Sequence, residues 1–142
     1  MITIEELTQV TSSDLAAINK LLPQLSDSAK PLSYQGLLDI TKDIRGTMYV
    51  AREGGNIIGM GMILIYRVPS EKRAHFEEIV VDAEHRKHGI GTQIMQTLIN
   101  RAKKERVTSI YFSSRPDRAA ANALYKKLGF EPYETNVYMM KL

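Results

Sequence analysis

The stretch from Phe76 to Arg106 constrains the fold most, because it joins a strand pattern, a basic glycine loop and a helix pattern. Residues 76–82 are rich in β-branched side chains and end in a polar turn, which is typical of a strand. From Ile90 onward, apolar residues recur at the helical spacing, which predicts an amphipathic helix. The apolar stripe consists of Ile90, Ile94, Met95, Leu98, Ile99 and Ala102. This part of the sequence therefore predicts a strand–loop–helix unit.

The loop between these elements, Arg86–Thr92, has the character of an anion-binding segment. Gly89 and Gly91 allow a sharp turn and a close approach of backbone N–H groups to a ligand. The N-terminus of the following helix has unsatisfied N–H groups and the positive end of the helix dipole. Arg86 and Lys87 add full positive charges at the same point. The sequence predicts that this loop binds a phosphate group, and a pyrophosphate in particular.

Two common phosphate-binding motifs do not fit the loop. A P-loop would end in Gly-Lys-Ser or Gly-Lys-Thr, and the chain has neither. A dinucleotide fold would have Gly-x-Gly-x-x-Gly directly after the strand. Here Gly89-x-Gly91 is followed by Ile94 in the third position, and the loop before it is long.

The pattern Arg86-x-x-Gly89-x-Gly91 resembles the acyl-CoA loop of the GCN5-related N-acetyltransferases (GNAT), whose motif is Gln/Arg-x-x-Gly-x-Gly/Ala. The context strengthens the resemblance, since an acidic pair, Glu77-Glu78, lies on the preceding strand. A later motif, Asn122-x-x-Tyr125-x-x-x-Gly129-Phe130, also matches the family. The two motif regions run from about residue 74 to residue 130, so the resemblance covers much of the chain.

The resemblance implies acetyl-CoA as co-substrate. In the family the strand splays from its neighbour and the pantetheine arm bonds to its backbone, while the loop holds the pyrophosphate mainly through N–H groups. Asn122 would touch the pantetheine arm or order the site. The residues assigned to the cofactor in this way are Ile79, Val80, Val81, Arg86, Lys87, His88, Gly89, Ile90, Gly91, Thr92 and Asn122.

The candidates for the catalytic base lie on the strand. In related enzymes the base often precedes the loop's Gln/Arg by eleven or nine residues, and counting back from Arg86 gives His75 and Glu77. Glu77 is the first choice and His75 the second, while Glu78 is assigned to binding or orienting the acceptor. Strict alternation along a strand predicts that His75, Glu77, Ile79 and Val81 share one face, with Phe76, Glu78 and Val80 on the other. A backbone N–H near Ile79 is expected to hold the oxyanion.

Tyr125 is the candidate acid, because in the family a tyrosine four residues before Gly-Phe donates a proton to the leaving thiolate. Without the resemblance, Tyr125 reads as a core aromatic of an amphipathic helix. Some family members carry a glutamate twelve residues before this tyrosine as an alternative base. That position is Ser113 here, which weakens an assignment to protein N-termini by analogy with those members.

The hydrophobic pattern predicts an α/β protein with a mixed sheet and the element order β-α-α-β-β-β-α-β-α-β-β, which is also the GNAT fold. We expect a single N-acetyltransferase domain over residues 1–142. Glu53-Gly54-Gly55-Asn56 predicts a tight hairpin turn, and Gly59 and Gly61 predict a bulge or a close backbone approach. The last two strands are expected at residues 130–133 and 137–141.

Composition excludes several other classes. The chain has no cysteine and three histidines without metal-ligand spacing, so no metal site is expected. It has no membrane-length apolar run and no secretion signal, which favours a cytoplasmic location. The net charge of +3 is mild and there is no aromatic-plus-basic platform, so nucleic acid is not an expected partner. The resemblance also allows a homodimer, since many members pair through C-terminal strands and the segment 137–140 is apolar.

These observations predict an N-acetyltransferase that moves an acetyl group from acetyl-CoA to a primary amine by direct attack. The acceptor is expected to be a small-molecule amine or a free amino group. The alternative is a non-catalytic acyl-CoA-binding sensor or interaction module. A different acyl group or an oxygen acceptor also remains open.

Overall fold

The computed structural model describes residues 1–142, which form two compact units, residues 1–112 and 113–142. The first unit contains a five-stranded sheet with the strand order β1-β2-β3-β4-β5. The strands are β1 (Ile2–Glu6), β2 (Gly46–Glu53), β3 (Asn56–Val68), β4 (Glu71–Val81) and β5 (Ser109–Tyr111). The first four strands are antiparallel neighbours, and β5 pairs with β4 in parallel.

Three helices belong to this unit: α1 (Ser12–Leu25), α2 (Tyr34–Lys42) and α3 (Ile90–Lys104). Helix α1 begins at a side-chain N-cap, because the Thr11 hydroxyl accepts a hydrogen bond from the Asp14 N–H at 3.1 Å. It runs two residues beyond Pro23, which therefore does not end it. Ser33 caps α2 in the same way through the Gly36 N–H.

The turn between β2 and β3 is the hairpin that the sequence predicts. Gly54 and Gly55 have φ values of 56° and 84°, the left-handed conformation that both central residues of a type I′ turn require. This turn fixes the register in which Glu53 faces Asn56. Strand β3, which follows the turn, is thirteen residues long and pairs with β2 on one side and with β4 on the other.

Helices α1 and α2 cover one face of the sheet with a single apolar cluster. Its buried members come from both helices, from β2, β3 and β4 and from the segment after β1, and burial of this area from water is the main stabilising term. They are Leu7, Ile18, Leu21, Leu37, Met48, Val50, Ile57, Met60 and Val80. This cluster fixes the face of β4 that carries Val80.

Helix α3 covers the opposite face and lies close to the backbone of β3. A Cβ atom built on Gly61 would come within 2.9 Å of the Ile94 Cγ2 atom, and one on Gly59 within 3.1 Å of the Ile94 Cδ1 atom. The two glycines therefore allow the close approach that the sequence predicts. Helix α3 therefore packs against the part of the sheet where the register between β3 and β4 shifts, between Met60 and Met62.

A buried ion pair joins α1 to the sheet. The Arg52 guanidinium on β2 donates to both carboxylate oxygens of Asp14, at 2.8 and 3.0 Å, and to Glu5 at 2.6 Å. The hydrogen bond from Arg52 lowers the pKa of Asp14, and this outweighs the opposing effect of burial. Only 6% of Asp14 is exposed, so the pair ties the first turn of α1 to β2.

The second unit contains helix α4 (Ala119–Lys127), which ends at a glycine turn. Gly129 has φ 103°, its N–H donates to the Lys126 carbonyl and the Phe130 N–H donates to the Tyr125 carbonyl. This is a Schellman motif, which needs a residue without Cβ at the left-handed position.

The two final strands predicted at residues 130–133 and 137–141 are wrong, since the structure has no strand after α4. Pro132 cannot donate to a strand ladder, and the apolar side chains of the second segment do not alternate with polar ones. These side chains are exposed, including Val137, Tyr138, Met139 and Met140.

The predicted α/β class and mixed sheet are confirmed, and so is the element order through α4. The expectation of one domain over residues 1–142 stays a prediction. None of the helices has the length and apolar character needed to span a membrane.

Candidate functional site

The ladder between β3 and β4 is interrupted by a bulge at the acidic pair. Met62 faces Glu77 and Met60 faces Val80, so Gly61 alone lies opposite both Glu78 and Ile79. Glu78 has φ 55°, a left-handed conformation that is uncommon for a residue with a side chain. The extra residue in a bulge is left out of the ladder, which frees backbone groups at Glu78–Ile79 for another partner. Such local strain is often found at functional sites.

The bulge corrects the predicted alternation of β4. His75 and Glu77 pair with Leu64 and Met62, and Val80 pairs with Met60, on the face that α1 and α2 cover. Phe76 and Ile79 lie on the α3 face: Phe76 pairs with Ile63, and Ile79 lies beside Gly61.

Val81, which pairs with Gly59, also lies on the α3 face. The predicted grouping of His75 and Glu77 with Ile79 and Val81 is therefore wrong, because one inserted residue moves every later side chain to the other face.

Three ionisable side chains meet at the bulge. The His75 Nε2 atom lies 3.2 Å from the Glu77 carboxylate, so the two predicted candidates for the base contact each other. Glu78 is exposed by area, but the protein atoms around its carboxyl group desolvate it, and this, together with the charge of Glu77, raises its pKa. A carboxyl group whose pKa is raised is a stronger base when ionised, which suits a proton acceptor.

One edge of β4 is open beside this cluster. Strand β5 pairs with β4 only at Arg73, Ala74 and His75, and it ends at Tyr111. From residue 76 to residue 81, no strand pairs with β4 on that side. An extended ligand could therefore form strand-like hydrogen bonds with the backbone of Ile79–Val81, as the resemblance implies. The side chain of Val80 is buried in the core, so only its backbone could take part.

Helix α3 begins without a side-chain cap. Its N-cap is Gly89 in the left-handed conformation, with φ 77°, and no acidic residue lies in its first turn. The N–H groups of the first turn, at Ile90, Gly91 and Thr92, have no intrahelical partner. A Cβ atom on Gly89 would meet nothing within 4 Å, so the space beside the N-cap residue itself is open. At Ile90 a ligand can reach the backbone but not the side chain, because the side chain is buried in the core.

The basic side chains of the loop before α3 have different environments. Lys87, with φ 68°, and His88 are exposed, and no ion pair involves either of them. Arg86 turns back instead: its Nε donates to the Val81 carbonyl at 3.0 Å, and its guanidinium lies 3.4 Å from the Gln24 Oε1 atom. The Arg86 side chain therefore fastens the loop to the end of β4, whereas the sequence suggested only a charge for a ligand.

In the second unit, the two predicted residues on α4 have different environments. Tyr125 is buried, with 8% of its surface exposed. The Asn122 amide donates to the Arg115 carbonyl at 3.0 Å and so holds residues 115–118 against the helix start. The role of Asn122 toward a ligand stays a prediction.

Sequence reasoning missed the residues of α1 that contact the loop. Lys20 and Gln24 both reach Asp82, at 3.3 Å each, and Gln24 also accepts from the Ala83 N–H at 2.8 Å. Their i, i+4 spacing places them on one helix face, but nothing in the sequence indicates which distant loop that face meets. The bulge had a signal in the sequence, since the acidic pair Glu77-Glu78 interrupts the apolar residues Phe76 and Ile79–Val81, and β3 contains Gly59 and Gly61.

The chain also resembles known proteins. Residues 14–130 match the model of the acetyltransferase (GNAT) family. Human N-acetyltransferase 8 is 30% identical over 99 residues, which cover 66% of this chain and 44% of that protein. The chain thus spans less than half the length of the curated relatives that it matches first.

Two solved structures share the fold. A Trypanosoma brucei acetyltransferase superposes with a TM-score of 0.83 at 21% identity, covering 99% of this chain and 100% of that one. An aminoglycoside N-acetyltransferase in complex with CoA gives a TM-score of 0.78 at 18% identity, covering 99% and 95%. Since the family model matches most of the sequence, the chain belongs to the acetyltransferase (GNAT) family.

Proposed function

We propose that this protein is an acetyl-CoA-dependent N-acetyltransferase that acetylates a primary amine by direct attack. The observation that carries the proposal is the uncapped N-terminus of α3, which follows a β4 strand with a bulge and an open edge. Family membership supports the same reaction class.

The residues of the first unit fit an acyl-CoA. The unpaired N–H groups at 90–92, the positive end of the α3 dipole and the exposed Lys87 suit a pyrophosphate. The open backbone of Ile79–Val81 suits a pantetheine arm, whose amides can add strand-like hydrogen bonds. The same fold holds CoA in the aminoglycoside N-acetyltransferase. Arg86 would hold the loop in place through its hydrogen bond to the Val81 carbonyl. Gly89 and Gly91 would allow the loop backbone to turn sharply into α3.

The acidic cluster on β4 would accept the proton of the amine. Glu78 is our choice for the base, because it is an exposed residue at the bulge and its partly desolvated carboxyl group has a raised pKa, which suits a proton acceptor. Glu77 contacts His75 and would orient the acceptor or, together with His75, take the proton in its place. This reverses the roles that the sequence suggested for the two glutamates. The freed N–H at Ile79 would stabilise the oxyanion.

The reaction then balances without a covalent enzyme intermediate. An acceptor that arrives as an ammonium ion first loses one proton to solvent, because only the neutral amine has the lone pair for attack. The amine nitrogen then bonds to the thioester carbonyl carbon and gives a second proton to the carboxylate. The carbon–sulfur bond breaks, and the leaving thiolate takes a proton from an acid, for which we propose Tyr125 from its position in the Asn122-to-Phe130 motif. The products are an N-acetyl amine and free CoA.

The charge of the site also bears on the class of amine acceptor. The acidic pair at the bulge favours an acceptor that arrives as a cation, such as an alkylamine or a free amino group. The aminoglycoside N-acetyltransferase is an example of this fold whose acceptor class is a small-molecule amine.

Turnover on a panel of amines tests the proposal. Release of CoA from acetyl-CoA would be followed with polyamines, amino acids, aminoglycosides and short peptides, and binding of acetyl-CoA would be measured by calorimetry. We expect turnover on one amine class, and we expect Glu78→Gln and Tyr125→Phe each to lower kcat by roughly 100-fold with acetyl-CoA binding retained.

Glu77→Gln is the matched comparison for Glu78→Gln, because it removes the neighbouring carboxylate and leaves the bulge intact. We expect a smaller loss, about tenfold, and a rate that still rises with pH through the raised pKa of Glu78. In Glu78→Gln this rise should disappear. Equal losses in both variants, with the rise kept, would assign the proton transfer to Glu77 and His75. Tight binding of acetyl-CoA without turnover on any amine would favour a sensor instead.

A further inference from the structure

We propose that Gln24 is a positioning residue for the pyrophosphate loop, and that α1 thereby sets the affinity for acyl-CoA. The proposal rests on the function proposed above. It assigns a role to a helix whose side chains do not belong to the loop motif.

The first support is the set of hydrogen bonds made by one side chain. Gln24 Oε1 accepts from the Ala83 N–H at 2.8 Å and lies 3.4 Å from an amino group of Arg86. Its Nε2 donates to the Asp82 carboxylate at 3.3 Å and lies 3.3 Å from the Lys20 carbonyl of its own helix. Both ends of the amide are therefore used, and three of the four partners lie in α1 or in the turn that leads to the loop.

The second support is the buried carboxylate at the centre of the contact. Asp82 is 5% exposed, and its backbone N–H donates to the Ile58 carbonyl at 2.8 Å, which fixes it at the end of β4. Burial alone would raise its pKa, but hydrogen bonds from Lys20, Gln24 and the Glu84 N–H lower it overall. The charged form of Asp82 is thus held by α1, so the helix and the turn are fixed to each other.

The third support is the way the contact continues into the loop. Arg86, which Gln24 contacts, donates to the Val81 carbonyl at 3.0 Å. Arg86 is the first residue of the motif, and only three positions separate it from Gly89, where α3 is capped. A shift of Arg86 would therefore change the direction in which the N–H groups of residues 90–92 point.

These contacts predict that a change at Gln24 affects one acetyl donor and not another. Loss of the Gln24 amide should disturb the part of the ligand bound by the loop and leave the β4 bulge as it is. Acetyl-CoA, which has the pyrophosphate, should be affected, whereas S-acetylpantetheine, which lacks it, should not.

The test compares the two acetyl donors in wild type and in Gln24→Met, which keeps the side-chain volume and removes the amide. We expect the KM and the Kd for acetyl-CoA to rise about tenfold, with kcat at saturation within about twofold of wild type. With S-acetylpantetheine, kcat/KM should stay within about twofold. Gln96→Met is the matched control, because Gln96 is exposed on α3 and donates only to Asn100.

Two results would overturn the proposal. One is unchanged acetyl-CoA affinity in a folded Gln24→Met protein, and the other is an equal loss with both donors, which would indicate a purely structural role. If Gln24→Met does not fold, Gln24→Asn replaces it, since the amide is then one methylene too short to reach Ala83, and the same selective loss is expected. If wild type binds no acetyl-CoA, the proposed function fails, and the positioning role fails with it.

Discussion

Helices α1 and α3 begin in opposite ways, and the difference separates a structural helix start from a binding one. At α1 the Thr11 hydroxyl accepts the Asp14 N–H, and the Asp14 carboxylate neutralises the helix dipole and pairs with Arg52. At α3 a left-handed Gly89 stands at the cap, no side chain caps the helix and no acid lies in the first turn.

The first-turn N–H groups of the two helices find different kinds of partner. A helix that binds no ligand at its N-terminus is more stable when its own side chains supply the acceptors. A helix that lacks them leaves the N–H groups and the dipole for an anion. The α3 start therefore gives up some local stability, and in the proposed function acetyl-CoA restores it when it binds.

Removal of the α1 carboxylate should give the largest change in stability. Asp14→Ala leaves the Arg52 guanidinium without its bidentate partner in a mostly buried position, so we expect a loss of about 3 kcal/mol in the free energy of unfolding. Urea unfolding followed by circular dichroism measures it.

Asp43→Ala is the matched control, because Asp43 pairs with Arg45 on the exposed surface. Its unfolding midpoint should stay near that of wild type. A similar loss in both variants would mean that burial of the Asp14 pair does not set its contribution.

An acid placed in the first turn of α3 should make it resemble α1. Thr92→Glu puts a carboxylate at the N3 position, where it stabilises the helix but repels a pyrophosphate. We expect the acetyl-CoA affinity to fall by about 100-fold while the melting temperature is unchanged or higher. Calorimetric titration and thermal unfolding measure the two effects.

Gln96→Glu adds the same charge one turn further along α3 and is the control. It should weaken binding far less, since the effect of the helix end falls off within the first turn. Comparable losses in both variants would contradict the assignment of the ligand to the uncapped helix end.

The ion pair of Asp14 with Arg52 should also make the free energy of unfolding depend on pH, with a smaller effect than the substitutions above. The pKa of Asp14 is lowered in the folded state, so its contribution is fully present above the pKa of the unfolded chain and is lost as the pH falls through the folded pKa. Between pH 5 and pH 2.5, wild type should lose more stability than Asp14→Asn, by about 1 kcal/mol.

Asp27→Asn removes an exposed carboxylate that makes no ion pair, and it should keep the pH dependence of wild type. Urea unfolding at the two pH values gives the comparison. If Asp14→Asn and wild type lose equal stability, Asp14 does not carry the linkage.

The sequence by itself determined the elements and the anion-binding loop. The β-branched run to Asp82, the glycines at 89 and 91 and the stripe from Ile90 to Ala102 each depend on neighbours within a few residues, so local pattern was enough. The hairpin turn at Gly54–Gly55 was predictable for the same reason.

Only the tertiary structure decided which side chains share a face and which distant groups meet. The bulge at Glu78 places two residues of β4 opposite Gly61, and it reverses the predicted face of Ile79 and Val81. The contact of Gln24 with Ala83 joins residues 59 positions apart. The last strands failed for a related reason, since a strand forms only where a partner edge is available, and local pattern does not supply that partner.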